Sequence, residues 1–297
     1  MLGFSLGRGL GGSLGGGGTA PSYPKFQSIA GLLPEYDEDS TIADSYSGGL
    51  NLINLIPGKA GFDMVLSSDG TDAYLPELVG EIGSQDAYFL MKGTSSLGEG
   101  LSYFRTEAEG ADLPEFAQHL HQTNEEAIYM SWACNYGDTH TTAWFSTTGA
   151  SNTTAGAFMD ISVSTNFPAK VVSEEEGGVS LWNTGTRTLV ASPYNGDHVV
   201  INGLVKTATT IQSKWWVDGV LKNTVTVAIA KQDKTNPPSG AFKIARDNDT
   251  QKNNPVDGSK HRAHAGGYVS VEGGLTNEMA EAITDIYRTR HNLPYAP

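Results

Sequence analysis

The sequence predicts an all-β protein: an antiparallel jelly-roll sandwich with a short C-terminal helix and an extended glycine-rich N-terminal arm. Three observations predict it. Ile211 to Thr226 reads as two alternating strands joined at Asp218-Gly219. From Phe62 onward, short β-favouring runs are divided by Gly, Asn, Asp, Pro and Ser turns, as sandwiches and jelly rolls require. The helical signal is confined to the far end, where Met279, Ala282, Ile283, Ile286 and Tyr287 recur on one face, Thr276 or Asn277 can cap, and Pro294 stops continuation.

The hairpin organises the rest. Ser213, Trp215 and Val217 alternate with Gln212, Lys214 and Trp216, so the two adjacent tryptophans face opposite sides of a regular strand. One of them therefore lies on an outer face, against the helix, a subunit or a ligand. Asp-Gly tolerates the positive φ values that a tight hairpin needs. Such a hairpin does not stand alone in water and must belong to a larger sheet.

The chain has 297 residues, with 33 acidic against 19 basic and a formal net charge of -14. No cluster of Lys and Arg suits a phosphate backbone, so nucleic acid is not an expected partner. Cys134 is the only cysteine, which excludes an intramolecular disulfide and any thiolate cluster within one chain. No apolar run is long enough for a membrane span. The first ten residues lack a basic leader and an unbroken apolar block, so no Sec export signal is expected.

Three regions follow. Residues 1–20 are a glycine- and leucine-rich arm, in which Leu2, Phe4, Leu6, Leu10 and Leu14 are spaced by Gly and Ser. Glycine loses the most entropy on ordering, so this arm cannot hold its own structure. It reads either as a peg that orders in a partner's groove or as a disordered tail. Residues 21–61 form an extended acidic connector broken by Pro21, Pro24 and Pro34. Residues 62–297 form the jelly roll. Its expected strands are 62–66, 73–78, 86–92, 127–134, 141–146, 157–164, 178–182, 186–191, 197–205, the two arms of the hairpin, and 241–245. Residues 113–127 read as a short helix or an ordered loop.

Three segments in order resemble concanavalin A-like, laminin-G-type jelly rolls. They are Ser68-Asp69-Gly70-Thr71-Asp72-Ala73-Tyr74-Leu75-Pro76, then His198-Val199-Val200-Ile201 with Trp216-Val217-Asp218-Gly219-Val220, then Gly273-Gly274-Leu275-Thr276 leading to Tyr287. The resemblance covers roughly residues 62–292. Trp216 stands where that family usually has Tyr, and residues 93–126 read as a long insertion. With the Leu-Gly-rich start, the chain looks like a bacteriophage virion protein: a capsid decoration, head fibre or tail fibre. That resemblance implies a non-enzymatic structural role in the virion, with other capsid or tail proteins as partners, a homo-oligomer, and assembly in the host cytoplasm. A glycan-binding host-adsorption protein is the alternative, and a polysaccharide depolymerase the third reading.

A retaining glycosidase needs two carboxyls about 5–5.5 Å apart, and glucanase relatives carry Glu-x-Asp-x-x-Glu on one strand. No such run exists; Glu174-Glu175-Glu176 reads as an exposed turn, and Glu107 and Glu109 as loop residues. No catalytic residue is therefore expected. His119 with His121, and His261 with His264, would need a third ligand placed by the fold to hold zinc. Calcium is the cofactor the family resemblance allows, with Asp138, Asp160, Asp247, Asn248 and Asp249 as loop acids. Cys134 reads as a small core residue. Trp144, Trp182, Trp215 and Trp216 are candidates for stacking on a glycan or filling an interface, or else for the core.

Overall fold

The computed structural model describes residues 35–37, 51–52, 64–68, 76–80, 88–92, 102–135, 141–151, 153–162, 168–189, 197–245, 260–269 and 272–291. The arm residues Leu2, Phe4, Leu6, Leu10 and Leu14 lie outside this set. In chain order the elements are β1 (Glu35–Asp37), β2 (Asn51–Leu52), β3 (Met64–Ser68), β4 (Glu77–Val79), β5 (Tyr88–Leu90), β6 (Ser102–Glu109) and α1 (Glu115–His121). Then come β7 (Ala127–Asn135), β8 (Thr141–Ser146), β9 (Gly156–Ser162), β10 (Pro168–Glu175), β11 (Val179–Asn183) and β12 (Arg187–Thr188). The last are β13 (Asp197–Lys206), β14 (Thr210–Val217), β15 (Val220–Ala228), β16 (Ala241–Ile244), β17 (Lys260–Tyr268) and α2 (Asn277–His291).

These strands make two antiparallel sheets. The eight-stranded sheet runs β15-β14-β13-β7-β17-β5-β4, with β1 alongside β17. The nine-stranded sheet runs β11-β10-β9-β8-β16-β6-β3-β2, with β12 alongside β10. The chain is thus an antiparallel β-sandwich with a C-terminal helix. Residues within 21–61 contribute β1 and β2, one to each sheet.

The hairpin turn adopts the geometry its residues favour: Asp218 has φ 52° and Gly219 φ 79°, both positive as a two-residue turn requires. Trp215 then enters the core between the sheets, where it meets Trp132 edge-on with centroids 6.5 Å apart. Trp182, Phe104, Phe145, Val171 and Phe242 fill the same layer. Trp216 lies on the opposite face. There Tyr129, Ala133, Val199 and Ile201 pack with it against Leu275, Ala280, Ile283 and Tyr287 of the helical segment. Its Nε1 donates to Asn277 Oδ1 at 2.9 Å. Gly203 makes room: a Cβ there would stand 3.2 Å from the Trp216 ring and 3.3 Å from Leu275 Cβ.

A polar clasp fixes the helix to the hairpin. Asp218 accepts from His198 Nδ1 at 2.7 Å and from the Val199 N–H at 3.0 Å, and Arg288 of α2 stands 3.6 Å from Asp218 Oδ1. Burial by itself would raise the Asp218 carboxyl. The His198 hydrogen bond leads the opposing effects, and the carboxyl is held below its usual range.

Besides β1 and β2, three strands were not expected from the sequence. β6 lies within the presumed insertion, pairs with β3 and β16, and carries Glu107 and Glu109. β10 pairs with β9, β11 and β12. β17 is central, paired with β7 along most of its length. Residues 115–121 resolve the other ambiguity as a helix.

Asp218→Ala removes the acceptor shared by His198, Val199 and Arg288. We expect it to cost about 1–3 kcal/mol, because the buried Val199 N–H loses its side-chain acceptor. Val220→Ala, on an exposed position of β15, stays within about ±0.5 kcal/mol. Chemical denaturation of both variants checks the contrast.

Candidate functional site

Three of the four tryptophans singled out by sequence are unavailable to a ligand. Trp182 and Trp215 are 1% and 0% exposed in the core, and Trp216 is 1% exposed beneath α2. A ring with both faces packed against protein cannot stack on a sugar, so the glycan reading of these three is corrected. Trp144 sits on β8 at the irregularity between Ala143 and Phe145, and its backbone alone is described. His119 and His121 lie on α1, and His261 lies on β17.

One polar cluster gathers where α1 meets the ends of β7, β13 and β17. Lys206 is fully buried, and its Nζ donates to His119 O, to Gln122 O at 2.7 Å and to Glu126 Oε1 at 3.4 Å. His119 Nδ1 lies 2.8 Å from Glu126 Oε2 and 2.9 Å from the Tyr268 hydroxyl. Burial lowers Lys206, with Glu126 opposing, and pushes Tyr268 well above the ordinary phenol range. All three donors of the ammonium are engaged, two of them by carbonyls at the C-terminal end of α1, where a cation is favoured. This arrangement fastens α1 to the sheet; it does not present groups to a ligand. Beside it, Ser173 donates to His121 O at 2.7 Å, so His121 Nδ1 donates to Ser173 Oγ at 2.9 Å. Burial, aided by Lys206, lowers His121 to about 4 against the pull of Asp233.

The outer face of the nine-stranded sheet is different. Along β9 and β10, Asp160 faces Lys170, Phe158 faces Val172 and Gly156 faces Glu174. Register partners share a face and alternate residues return to it, so Asp160, Phe158, Lys170, Val172 and Glu174 lie together. Their neighbours Ala157, Met159, Ala169 and Val171 point into the core. Ser146, Lys243 and Arg105 extend the row across β8, β16 and β6. Lys170 Nζ bonds Asp160 Oδ2 at 3.0 Å and lies 5.1 Å from the Phe158 ring centre. These two side chains keep 34% and 17% of their surface open. The other Asp160 oxygen, Oδ1, is buried with no hydrogen-bond partner among the described residues. Burial raises the carboxyls of both Asp160 and Glu174, with the Lys170 charge opposing in each. Among the described residues, no group of three or more His, Cys, Asp or Glu side chains is arranged to hold a metal ion. Asp160 is engaged by Lys170, and the other acids weighed for calcium lie outside the described residues.

No family model matches the chain, and no curated protein matches it in sequence. Solved structures resemble it at low identity. The Ruminococcus gnavus IT-sialidase CBM40 is 10% identical with a TM-score of 0.39, over 61% of this chain and 96% of that one. A Trypanosoma rangeli sialidase is 10% identical with a TM-score of 0.44, over 91% of this chain and 36% of that one. An arabinofuranosidase is 14% identical with a TM-score of 0.44, over 79% of this chain and 50% of that one. The chain thus spans about a third to a half of the two enzymes.

Two expectations are corrected here. None of the structures named is a virion protein; they are a sialidase's CBM40, a sialidase and an arabinofuranosidase. The bacteriophage structural reading is withdrawn with them, since the arm on which it leaned lies outside the described residues. The expectation of a non-enzymatic protein is withdrawn on this chain's own geometry. It had rested on the absence of a carboxylate run within one strand. The sheet brings Asp160 and Glu174 to one face from two strands, which a search along a single strand cannot detect.

His121 sets a pH dependence. Its folded value of about 4 lies below the ordinary 6.5. Above pH 6.5 both states are neutral and this contribution is complete. As pH falls from 6.5 to about 4, the unfolded chain takes up a proton that the folded chain refuses. Stability is lost over that window, by about 3 kcal/mol, and levels off below it. His121→Asn removes this share of the slope, which denaturation midpoints measured between pH 7 and 4 will show.

Proposed function

We propose that the chain is a carbohydrate-recognition sandwich that binds glycans on the outer face of the nine-stranded sheet, at Asp160 and Lys170. The observation that carries this reading is Asp160 Oδ1, an acceptor already removed from water and lacking a donor among the described residues. A sugar hydroxyl is such a donor. Lys170 supplies N–H groups to ring, hydroxyl or carboxylate oxygens, while the buried Phe158 ring backs the pair from beneath. A few placed polar groups on an otherwise apolar wall are how small-molecule sites fix orientation. The other sheet offers no equal: its outer face is apolar and covered by α2.

A glycan array probed with the full chain tests binding. We expect a restricted set of ligands, with Asp160→Asn and Lys170→Ala each weakening them about tenfold or more while leaving the fold intact. Uniform absence of binding across acidic and neutral glycans would sink the reading.

A further inference from the structure

We propose that the outer edge of β15 pairs antiparallel with the same edge of a second copy of this chain, joining their two eight-stranded sheets into one. Among the described residues, β15 ends its sheet and pairs on one side, with β14. The outermost strands of the two sheets are β15, β4, β11 and β2, of 9, 3, 5 and 2 residues. A short edge offers little to an approaching strand, whereas a long one presents a row of unpaired backbone groups. At about 3.3 Å per residue, β15 is a template roughly 30 Å long.

The direction of those backbone groups follows from the β14–β15 ladder. Just past the strand, the Ile229 N–H donates to Thr209 O at 2.8 Å, and continuing the register sets these two residues opposite each other. Directly opposed residues in an antiparallel ladder alternate between hydrogen-bonded and non-bonded pairs. Asn223, Val225 and Val227 therefore turn their N–H and C=O towards β14, while Thr224, Thr226 and Ala228 turn theirs outward. All three outward residues are exposed. The usual guards of an edge stop short of them. The register shift opposite Trp215 and Trp216, and the charge of Lys222, blunt only the half nearest the turn. Residues 223–228, Asn-Thr-Val-Thr-Val-Ala, contain no charge, no proline and no glycine.

Symmetry points to a second copy as the occupant. Val179, Val220 and Leu221 are the exposed large apolar side chains among the described residues, and all three border this edge. Val220 and Leu221 begin β15. Val179 stands by its far end, because the Ala230 N–H donates to Leu181 O at 2.8 Å and Lys231 pairs with Glu175, the register partner of Val179. A two-fold axis through the middle of β15 exchanges the two ends, as an isologous interface requires. It carries Val220 and Leu221 of each copy to the end where the partner's Val179 lies. One operation thus brings all three apolar side chains into the same interface. With the axis at Val225, Thr224 stands opposite the partner's Thr226, a cross-strand pair that sheets favour.

Charge selects the same place. At a formal net charge of -14, two copies repel one another over most approaches. β15 carries one lysine and no acid, so two chains meet there without opposing carboxylates. One strand pair with its flanking side chains is a small interface, which places the dimer among weak, concentration-dependent ones. Asp160 and Lys170 stand on the outer face of the other sheet, so a dimer carries two copies of that face.

Sedimentation equilibrium of the full chain tests the proposal, with a readout independent of glycan binding. We expect a mass that rises from one chain towards two as concentration increases through the micromolar range. Amide exchange at Thr224, Thr226 and Ala228 should slow over the same range, by about tenfold or more. Thr226→Pro removes an N–H that β14 does not use, so it should keep the fold and weaken association at least about tenfold. Leu221→Lys, at an exposed position, sets a charge in the interface without altering the backbone and should weaken association as well. A folded native chain that stays monomeric throughout that range overturns the proposal whether or not the variants fold. A dimer undiminished by both substitutions overturns it too, because its contact then lies elsewhere.

Discussion

The centre of the eight-stranded sheet must bury both of its faces, and the rest of the molecule is arranged to let it. Along β13, Val199 to Leu204 are all buried, so alternation of apolar and polar residues is lost there. A strand of that kind needs a cover on each side. The nine-stranded sheet provides one cover and α2 the other. Trp215 and Trp216 show the constraint at a single peptide: one ring enters the sandwich, the next lies under the helix, and both are sealed. The clasp at Asp218 ties the three parts together, because one carboxylate serves the turn, β13 and α2 at once.

That division of labour decides where chemistry can sit. With both faces of one sheet committed to apolar packing, charged side chains at strand positions collect on the outer face of the other. Lys170, Asp160, Glu174 and Arg105 stand there, opposite a core made of their own strand neighbours. The α1 cluster has as many titratable groups, but its lysine and histidine are consumed in holding backbone carbonyls and one another. Richness in polar groups therefore does not locate the site; an acceptor left over after the fold has used what it needs does.

The parts of the fold that were legible in the sequence are those whose conformation is set locally. Asp218-Gly219 declared its hairpin because few residues tolerate positive φ, and α2 declared itself by its one apolar stripe. β17 was illegible because its sequence, Lys-His-Arg-Ala-His-Ala-Gly-Gly-Tyr, carries no β-branched residue. Its glycine is there for packing: a Cβ on Gly266 would stand 3.0 Å from Phe116 and 3.1 Å from the Tyr129 carbonyl oxygen. β6 and β10 were missed for a related reason. Each puts charged residues on its outer face and begins or ends in Pro, Ser or Glu, so its strand character comes from its neighbours. The candidate sites suffered most, since Asp160 and Lys170 meet only through register. What was visible in advance, the tryptophans, went to the core, as large aromatic area tends to.

The energetics of the proposed glycan face follow from what is already buried. The Asp160–Lys170 pair is partly open to water, and such a pair contributes about 0–1 kcal/mol by itself. A ligand covering it gains some Coulomb attraction and loses hydration of both charges, so little net affinity comes from that source. Asp160 Oδ1 differs because folding has already stripped it of water. A hydroxyl that reaches it forms a hydrogen bond to a charged acceptor without that desolvation cost, worth about 1.5–3 kcal/mol, or roughly one to two decades in affinity. Selectivity then rests on the position of one hydroxyl rather than on the total area covered. A deoxy analogue that keeps every other contact leaves the oxygen buried and unmet, which is the case that binding sites reject most strongly.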